Sequence, residues 1–357
     1  MELNAKPSPK LLTAVLSVVL LCLISVLIYL WSVYGSRAHI FECTNYAMGT
    51  VIQQTVYGKN GEAAATAAAQ RIGELEDLIS WRREDSDIQK LNAHAGVDWL
   101  EIDEKTFSLL ETCLEVAERS EGAFDPTILP ISALWDFGGD NQHVPEPEKI
   151  EKFLPYVNYQ NLRLNEEDVS ASLKYHYMSV DLGAAGKGAA CDEAIAAYQE
   201  AGADYGIIAV GGSVGLFGTK PGGDDWRIAV RAPVSGGDPS EAMGELSLTS
   251  GFVSTSGSYE KEFEENGVTY HHLLNPKTGY PENNGLVSVT VICEEGALSD
   301  ILSTACFVLG EEKGRELLSS YDAEGIFIHS DGQVFVTEGL RDRFTITSAD
   351  YVLEAGE

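Results

Sequence analysis

Asp300 and Thr304 stand four residues apart in SDILSTACFVLG. On a helix that spacing puts a carboxylate and a hydroxyl one turn apart on one face, while Ile301, Leu302, Ala305, Phe307 and Val308 pack elsewhere. Two hard oxygen donors so placed suit Mg²⁺, which keeps waters and completes its shell from substrate phosphates. The same pair also fits a helix that Asp300 caps and to whose backbone Thr304 bonds, so spacing alone leaves both readings open. His271 and His272 close a strand-like run in YHHLLNPKTGYP. Successive strand side chains face opposite sides, so only one of the two can serve a given site. The turn at Asn275, Pro276 and Gly279 would hold that ring, and an imidazole near its ordinary pKa can act as a general base.

Between Val180 and Tyr198, VDLGAAGKGAACDEAIAAY nearly reads as a phosphate-binding loop. The match fails: two residues rather than four separate Gly183 from Gly186, and Gly188 follows Lys187 where Ser or Thr would stand. The glycines still allow close backbone approach to a ligand, and a helix beginning near Gly188 would aim free N–H groups at an anion. Lys187 would add a point charge and Asp181 an acceptor. A buried structural turn is the other reading.

The elements that must position these residues follow from periodicity. Val51 to Tyr57 alternates as a strand, Gly61 to Ser80 is an Ala-rich helix, and Glu104 to Arg119 is an amphipathic helix closed by Gly122. AFDPTILP and WDFGGDNQHVPEPEK are punctuated by Pro and Gly and read as loop with short helices. YGIIAVGG, WRIAVRAP, GELSLTS and Val287 to Cys293 are strands, Asp300 to Leu309 and Glu311 to Tyr321 are helices, and GIFIHSDGQVFVTEG is a hairpin with an Asp-Gly turn. There is no visible repeat, no internal linker and no regular βαβ rhythm. This predicts an α+β fold, a single large domain of mixed and antiparallel sheets with flanking helices over 47–357.

The chain of 357 residues carries 24 Lys and Arg against 55 Asp and Glu, a net charge of −31. Such a surface repels nucleic acid, and an anionic ligand needs a local cation in order to bind. Leu11 to Tyr34 contains no charge and is nearly all apolar; about 20 such residues span a bilayer core. This predicts one N-terminal transmembrane helix over 11–34. Lys6 and Lys10 place residues 1–10 in the cytoplasm, 35–46 becomes a juxtamembrane linker, and the domain lies on the extracytoplasmic face of the cell membrane. A cleaved signal peptide is the competing reading. Without Lys6, Lys10 and Glu2 the exported part has a net charge of −32. Its cysteines, Cys43, Cys113, Cys191, Cys293 and Cys306, are odd in number and lack CxxC spacing, which argues against a disulfide framework or a zinc site. Cys113, Cys191 and Cys306 sit among apolar helical neighbours, as core thiols do.

The order of the short motifs carries more than any one of them. MGT at Met48 to Thr50, FDPT at Phe124 to Thr127, VDLGAAGKG, GG at Gly211 and Gly212, STSG at Ser254 to Gly257, HHLLNPKTGYP and SDILSTA together resemble the ApbE family of FAD:protein FMN transferases. The resemblance runs from about Cys43 to about Ser330. It implies a Mg²⁺-dependent enzyme that takes FAD as substrate, cleaves its pyrophosphate and transfers FMN through a phosphoester to a Thr or Ser of another protein, releasing AMP. It places FAD contacts at Met48, Ala123, Phe124, Asp125, Asp181, Lys187 and His272, with Trp81 against the flavin ring. The Mg²⁺ ligands it implies are the Ala184 carbonyl and the side chains of Asp300 and Thr304; His272, from its position at the strand end, is the expected base. The expected acceptor is an exported or membrane redox protein, either an FMN-binding domain or a redox-complex subunit. Two positions depart from the family pattern: Ser213 stands where Asn is common, and Asn275 where Asp is common. Two further readings stay open, a FAD pyrophosphatase yielding FMN and AMP, and a non-catalytic flavin-binding surface protein.

Overall fold

Nine strands lie side by side in the order in which the chain makes them. They are β1 (Ile40–Ala47), β2 (Thr50–Tyr57), β3 (Tyr205–Val210), β4 (Ser213–Phe217), β5 (Gly251–Gly257), β6 (Leu286–Cys293), β7 (Glu324–His329), β8 (Gln333–Val336) and β9 (Val352–Leu353). The computed structural model describes residues 22–26 and 39–354, apart from 221, 235 and 237–240. From β2 to β8 every neighbouring pair is antiparallel, and β9 joins β8 in parallel. The sheet is therefore mixed but almost wholly antiparallel, in keeping with an α+β fold.

Tight turns set its register and aim its ends. Met48 and Gly49, between β1 and β2, both take positive φ, 54° and 67°. A two-residue hairpin loop of this kind matches the twist of its strands, but it costs a side-chain-bearing residue about 1–2 kcal/mol. At the β3–β4 turn Val210 pairs with Ser213 across Gly211 and Gly212. Gly211 has φ 57°, and a Cβ there would lie 2.9 Å from Thr50 Oγ1, so the turn tolerates only glycine.

Side chains alternate across the sheet into two cores. On β7, Phe327 faces the larger core, while Ile326 and Ile328 face the smaller one. The larger core is closed by α1 (Gly61–Ile79), α2 (Glu104–Arg119), α3 (Gly186–Ala201) and α4 (Gly296–Leu309). Cys113, Cys191 and Cys306 lie fully buried in it. The smaller core lies under a second sheet of Trp226–Arg231, Ala242–Leu248 and Phe344–Ile346.

α3 and α4 cross with almost no side chain between them. A Cβ on Gly188 would lie 1.9 Å from the Gly296 carbonyl oxygen, and one on Gly296 would lie 2.3 Å from the Gly188 oxygen. Each helix then caps the other. Asp192 of α3 accepts from Gly296 N (2.7 Å) and Ala297 N (2.8 Å) at the start of α4, and Asp300 of α4 accepts from Gly188 N (3.1 Å) in the first turn of α3. Both carboxylates meet the positive end of a helix dipole and satisfy N–H groups that would otherwise be orphaned.

Two expectations change. Ile40–Ala47, all but its last residue expected within the 35–46 linker, is the first strand of the sheet; its polar Thr44 and Asn45 hide the alternation that an edge strand needs on one face only. α4 starts at Gly296 rather than Asp300, because its N-terminus is capped from a distant helix, so Asp300 is an interior residue and not the N-cap. The span expected over 11–34 lies outside the described residues except for 22–26, which are helical, and among the described residues no helix is long and apolar enough to cross a membrane. The crossing yields a stability prediction. Gly188→Ala should lower the unfolding free energy by about 1–3 kcal/mol or more, as overpacking does; an unchanged denaturation midpoint would show that the two helices can part without cost.

Candidate active site

The β1–β2 and β3–β4 turns, the first turn of α3 and the segment after β5 all open onto one cleft of about 1280 Å³. Met48, Trp81, Ala123, Phe124, Asp125, Asp181, Ala184, Lys187, His272 and Thr304 line it. Asp300 stands just behind Lys187, only 2% exposed, with Lys187 Nζ 3.4 Å from each of its carboxylate oxygens. The eleven residues singled out from the sequence are thus brought to one place.

Lys187 also donates to the Gly183 carbonyl (3.4 Å). Burial pulls the ammonium down, but the Asp300 and Glu260 carboxylates more than offset it and hold the group above its ordinary value. It is therefore a permanent cation in an acidic chain. The N-terminus of α3 is not the open anion cradle that the glycines suggested. Gly186 N bonds to the Leu182 carbonyl and Gly188 N to Asp300, so the positive charge of the loop comes from Lys187 rather than from a free Gly188 N–H.

Asp181 folds its own loop, accepting from Gly183 N (2.8 Å). Burial raises its pKa, against the pull of that N–H, of Arg82 and Lys261, and of a hydrogen bond with the Trp81 side chain. Arg82 lies with its guanidinium carbon 4.0 Å from the Trp81 ring centroid. Asp125 is more committed still. One oxygen accepts from Thr127 N and Oγ1 (2.8 and 2.6 Å) and the other from Tyr159 N (2.8 Å), so this carboxylate sets the course of the Phe124–Thr127 loop and with it the positions of Ala123 and Phe124.

The two histidines divide as strand geometry demands. The His271 ring turns inward, with Nε2 donating to the Glu282 carbonyl (2.9 Å), Nδ1 accepting from Leu273 N (3.3 Å), and the ring edge-on to Phe307. His272 faces the cleft. Its Nδ1 donates to the Lys261 carbonyl (3.3 Å), which leaves Nε2 as an acceptor. Burial, reinforced by Lys261, Lys187 and His271, pushes its pKa down to about 3, so the imidazole is neutral at ordinary pH. The following turn is anchored at both ends: Asn275 N bonds to the Tyr280 carbonyl, and Trp135 Nε1 donates to the Gly279 carbonyl (2.9 Å). Asn275 also donates through Nδ2 to Glu282 (2.6 Å), where an Asp would set two carboxylates together. Ser213, the other departure from the family pattern, is buried and accepts from Ser254 Oγ (3.1 Å).

A run of hydroxyls joins β5 to α4. Ser254 meets Ser299 (2.8 Å), and Ser256 meets both Ser303 (2.8 Å) and Thr304 (3.1 Å). Both segments stand out in the sequence, but the pairing of their serines depends on the strand-to-helix register, which only the fold sets. Asp300 and Thr304 fit a hard divalent cation by donor chemistry, being a carboxylate and a hydroxyl one turn apart beside a cleft that the Ala184 segment also lines. Among the described residues, one cluster of His, Cys, Asp and Glu could also hold a metal, that of Glu311, His329 and Glu354, and none of its members lines the cleft. With Lys187 as cation, hard oxygen donors behind it and a neutral imidazole, the cleft can hold a phosphate-bearing ligand and accept a proton.

Comparison with known proteins agrees with this architecture. The ApbE family model matches residues 48–327. An FAD:protein FMN transferase of Treponema pallidum is 32% identical over 340 residues, covering 90% of this chain and 93% of that protein, and one of Klebsiella pneumoniae is 30% identical, covering 88% and 98%. Among solved structures, the ApbE protein of Thermotoga maritima matches with a TM-score of 0.77 at 33% identity, over 84% of this chain and 98% of that one. The flavin transferase ApbE from Vibrio cholerae has the same fold, with a TM-score of 0.76 at 24% identity, over 86% and 99%. The chain belongs to the ApbE family.

The buried setting of His272 makes a direct prediction. In a proton NMR titration of the free protein, the resonance lost in His272→Asn should titrate near 3, far below the ordinary 6.5. A midpoint near 6.5 would mean that the ring is solvated and the cleft is open to bulk water.

Proposed function

We propose that this protein is an FAD:protein FMN transferase that moves FMN from FAD to a Thr or Ser hydroxyl of another protein through a phosphoester bond and releases AMP. The observation that carries the reading is the convergence on one cleft of Lys187, the Asp300–Thr304 pair and the neutral His272 in a chain of net charge −31. The names of the relatives support it.

Mg²⁺ would be held by Asp300, Thr304 and the Ala184 carbonyl, and when bound it supplies charge neutralisation for the diphosphate. Lys187 adds a fixed positive charge beside that position, and its pairing with Asp300 keeps it in place. Met48, Phe124 and Trp81 supply apolar and aromatic surface for the flavin half. His272 Nε2 takes the proton of the acceptor hydroxyl as that oxygen attacks the FMN phosphorus. The bond from this phosphorus to the bridging oxygen breaks, AMP leaves with that oxygen, and the proton remains on the imidazole. In the free enzyme the ring is a weak base, and an incoming diphosphate opposes the cations that depress its pKa. The acid limb of kcat/KM should therefore lie well below that of kcat.

The acceptor is proposed to be an exported or membrane-associated redox protein, either an FMN-binding domain or a redox-complex subunit. The charge-free stretch over 11–34, preceded by Lys6 and Lys10, supports a location at the outer face of the membrane.

The test is incubation with FAD, Mg²⁺ and a candidate FMN-binding domain, followed by a denaturing gel imaged for flavin fluorescence and an assay for AMP. A fluorescent acceptor band should appear, vanish with EDTA and be lost in Asp300→Ala, while His272→Asn should slow single-turnover transfer by roughly 10²–10⁴-fold. AMP release with no labelled acceptor would instead favour the pyrophosphatase. Flavin binding without AMP release would leave a binding protein.

A further inference from the structure

One wall of the cleft holds a cation that the reading above does not use. Arg231 ends the strand Trp226–Arg231, at a register shift between Val230 and Arg231, and it lines the cleft. Its Nε is buried and has no hydrogen-bond partner. Among the described residues no carboxylate forms an ion pair with it, and its guanidinium carbon lies 5.0 Å from the ring centroid of Tyr259. Tyr259 is 8% exposed and is fixed against Gly257, where a Cβ would come within 2.4 Å of the ring. Leaving a guanidinium donor buried and unpaired is costly, so an arginine held this way in a cleft wall points to an acceptor that arrives with the ligand.

The neighbours of Lys187 show where along the ligand that acceptor belongs. On one side the cleft runs from Lys187 through Gly183 and Asp181 to Trp81. On the other side Gly211 adjoins Lys187, Gly212 adjoins Glu260, and Glu260 feels the charges of both Lys187 and Arg231. Arg231 and Trp81 are therefore reached from Lys187 through different neighbours, Gly211, Gly212 and Glu260 in one case and Gly183 and Asp181 in the other. This step rests on the proposed function, which sets the flavin at Trp81 and the diphosphate at Lys187.

We infer that Arg231, backed by the Tyr259 ring, forms a subsite for the adenylate half of FAD. The guanidinium donates to phosphate, ribose or ring-nitrogen acceptors of that half, and the Glu260 carboxylate offers an acceptor to its hydroxyl or amino groups. No bond is made or broken by Arg231, which acts as a specificity and positioning residue, retaining a dinucleotide over a flavin mononucleotide.

The experiment compares the affinities of FAD, AMP and FMN, in Mg²⁺, for the wild-type protein and for Arg231→Met and Arg231→Lys, each first shown to keep the wild-type melting temperature. Arg231→Met should weaken FAD and AMP by about tenfold or more, as loss of a buried charge-assisted hydrogen bond does, and leave FMN within about twofold. Arg231→Lys, which keeps the charge and loses the fork, should fall between. If a transfer-competent wild-type protein and Arg231→Met bind FAD equally well, the subsite is wrong while the proposed function stands. If FMN weakens as much as FAD, Arg231 serves the flavin end and the assignment is overturned. If the wild-type protein binds no FAD, the functional reading itself fails, and this inference with it.

Discussion

The active cleft depends on one contact, the crossing of two helices at Gly188 and Gly296. Only glycines let the backbones approach so closely that a carboxylate on each helix can cap the other. Asp192 stands four residues after Gly188, and Asp300 four residues after Gly296, so each helix repeats the same device. The consequence is positional. Asp300 is driven against the first turn of α3, which places its carboxylate beside Lys187 and fixes Thr304, one turn further on, at the cleft. A side chain on either glycine would push the helices apart and separate the oxygen donors from the lysine. The caps also explain why Asp300 tolerates burial, because its charge faces a helix N-terminus and an ammonium rather than apolar surface.

Electrostatics then defines what the cleft can accept. A chain with a net charge of −31 repels anions at long range, so the local exceptions matter. Lys187, Arg82, Lys261 and Arg231 all line this cleft, and the depressed pKa of His272 reflects burial first and then the charges of Lys261, Lys187 and His271. The same cations that attract a diphosphate also keep the imidazole unprotonated and able to accept a proton. Asp125 spends both oxygens on Thr127 and Tyr159, and Asp181 spends one on Gly183 N. They shape the walls instead of adding unpaired negative charge.

Much of the fold was legible because its signals are local. Glu104–Arg119 carries a clear amphipathic period and its own Asp103 cap, and it forms over the expected residues. The Asp-Gly turn of the β7–β8 hairpin is likewise local chemistry. The misses have a common cause in long-range partners. The polar edge strand Ile40–Ala47 has meaning only once β2 lies beside it. The start of α4 is set by Asp192, 104 residues away in the chain. Arg231 gave no motif at all, because an Nε left without a hydrogen-bond partner among the described residues is a property of the folded wall and not of any neighbouring residue.

What the sequence determined by itself was the set of reacting types and their local spacing: a carboxylate and a hydroxyl at i and i+4, paired histidines before a rigid turn, and a lysine among glycines. Helical and strand periodicity are enough to relate such residues to their near neighbours. Which of them are free to act was decided by the tertiary structure. It turned His271 to a backbone carbonyl and His272 to the cleft, and it closed the Gly188 N–H with Asp300. It also consumed the Asp125 oxygens in a loop and left one arginine nitrogen without a partner. Hydrogen-bond capacity is allotted among all the groups that meet in space, and most of those meetings here join residues far apart in the chain.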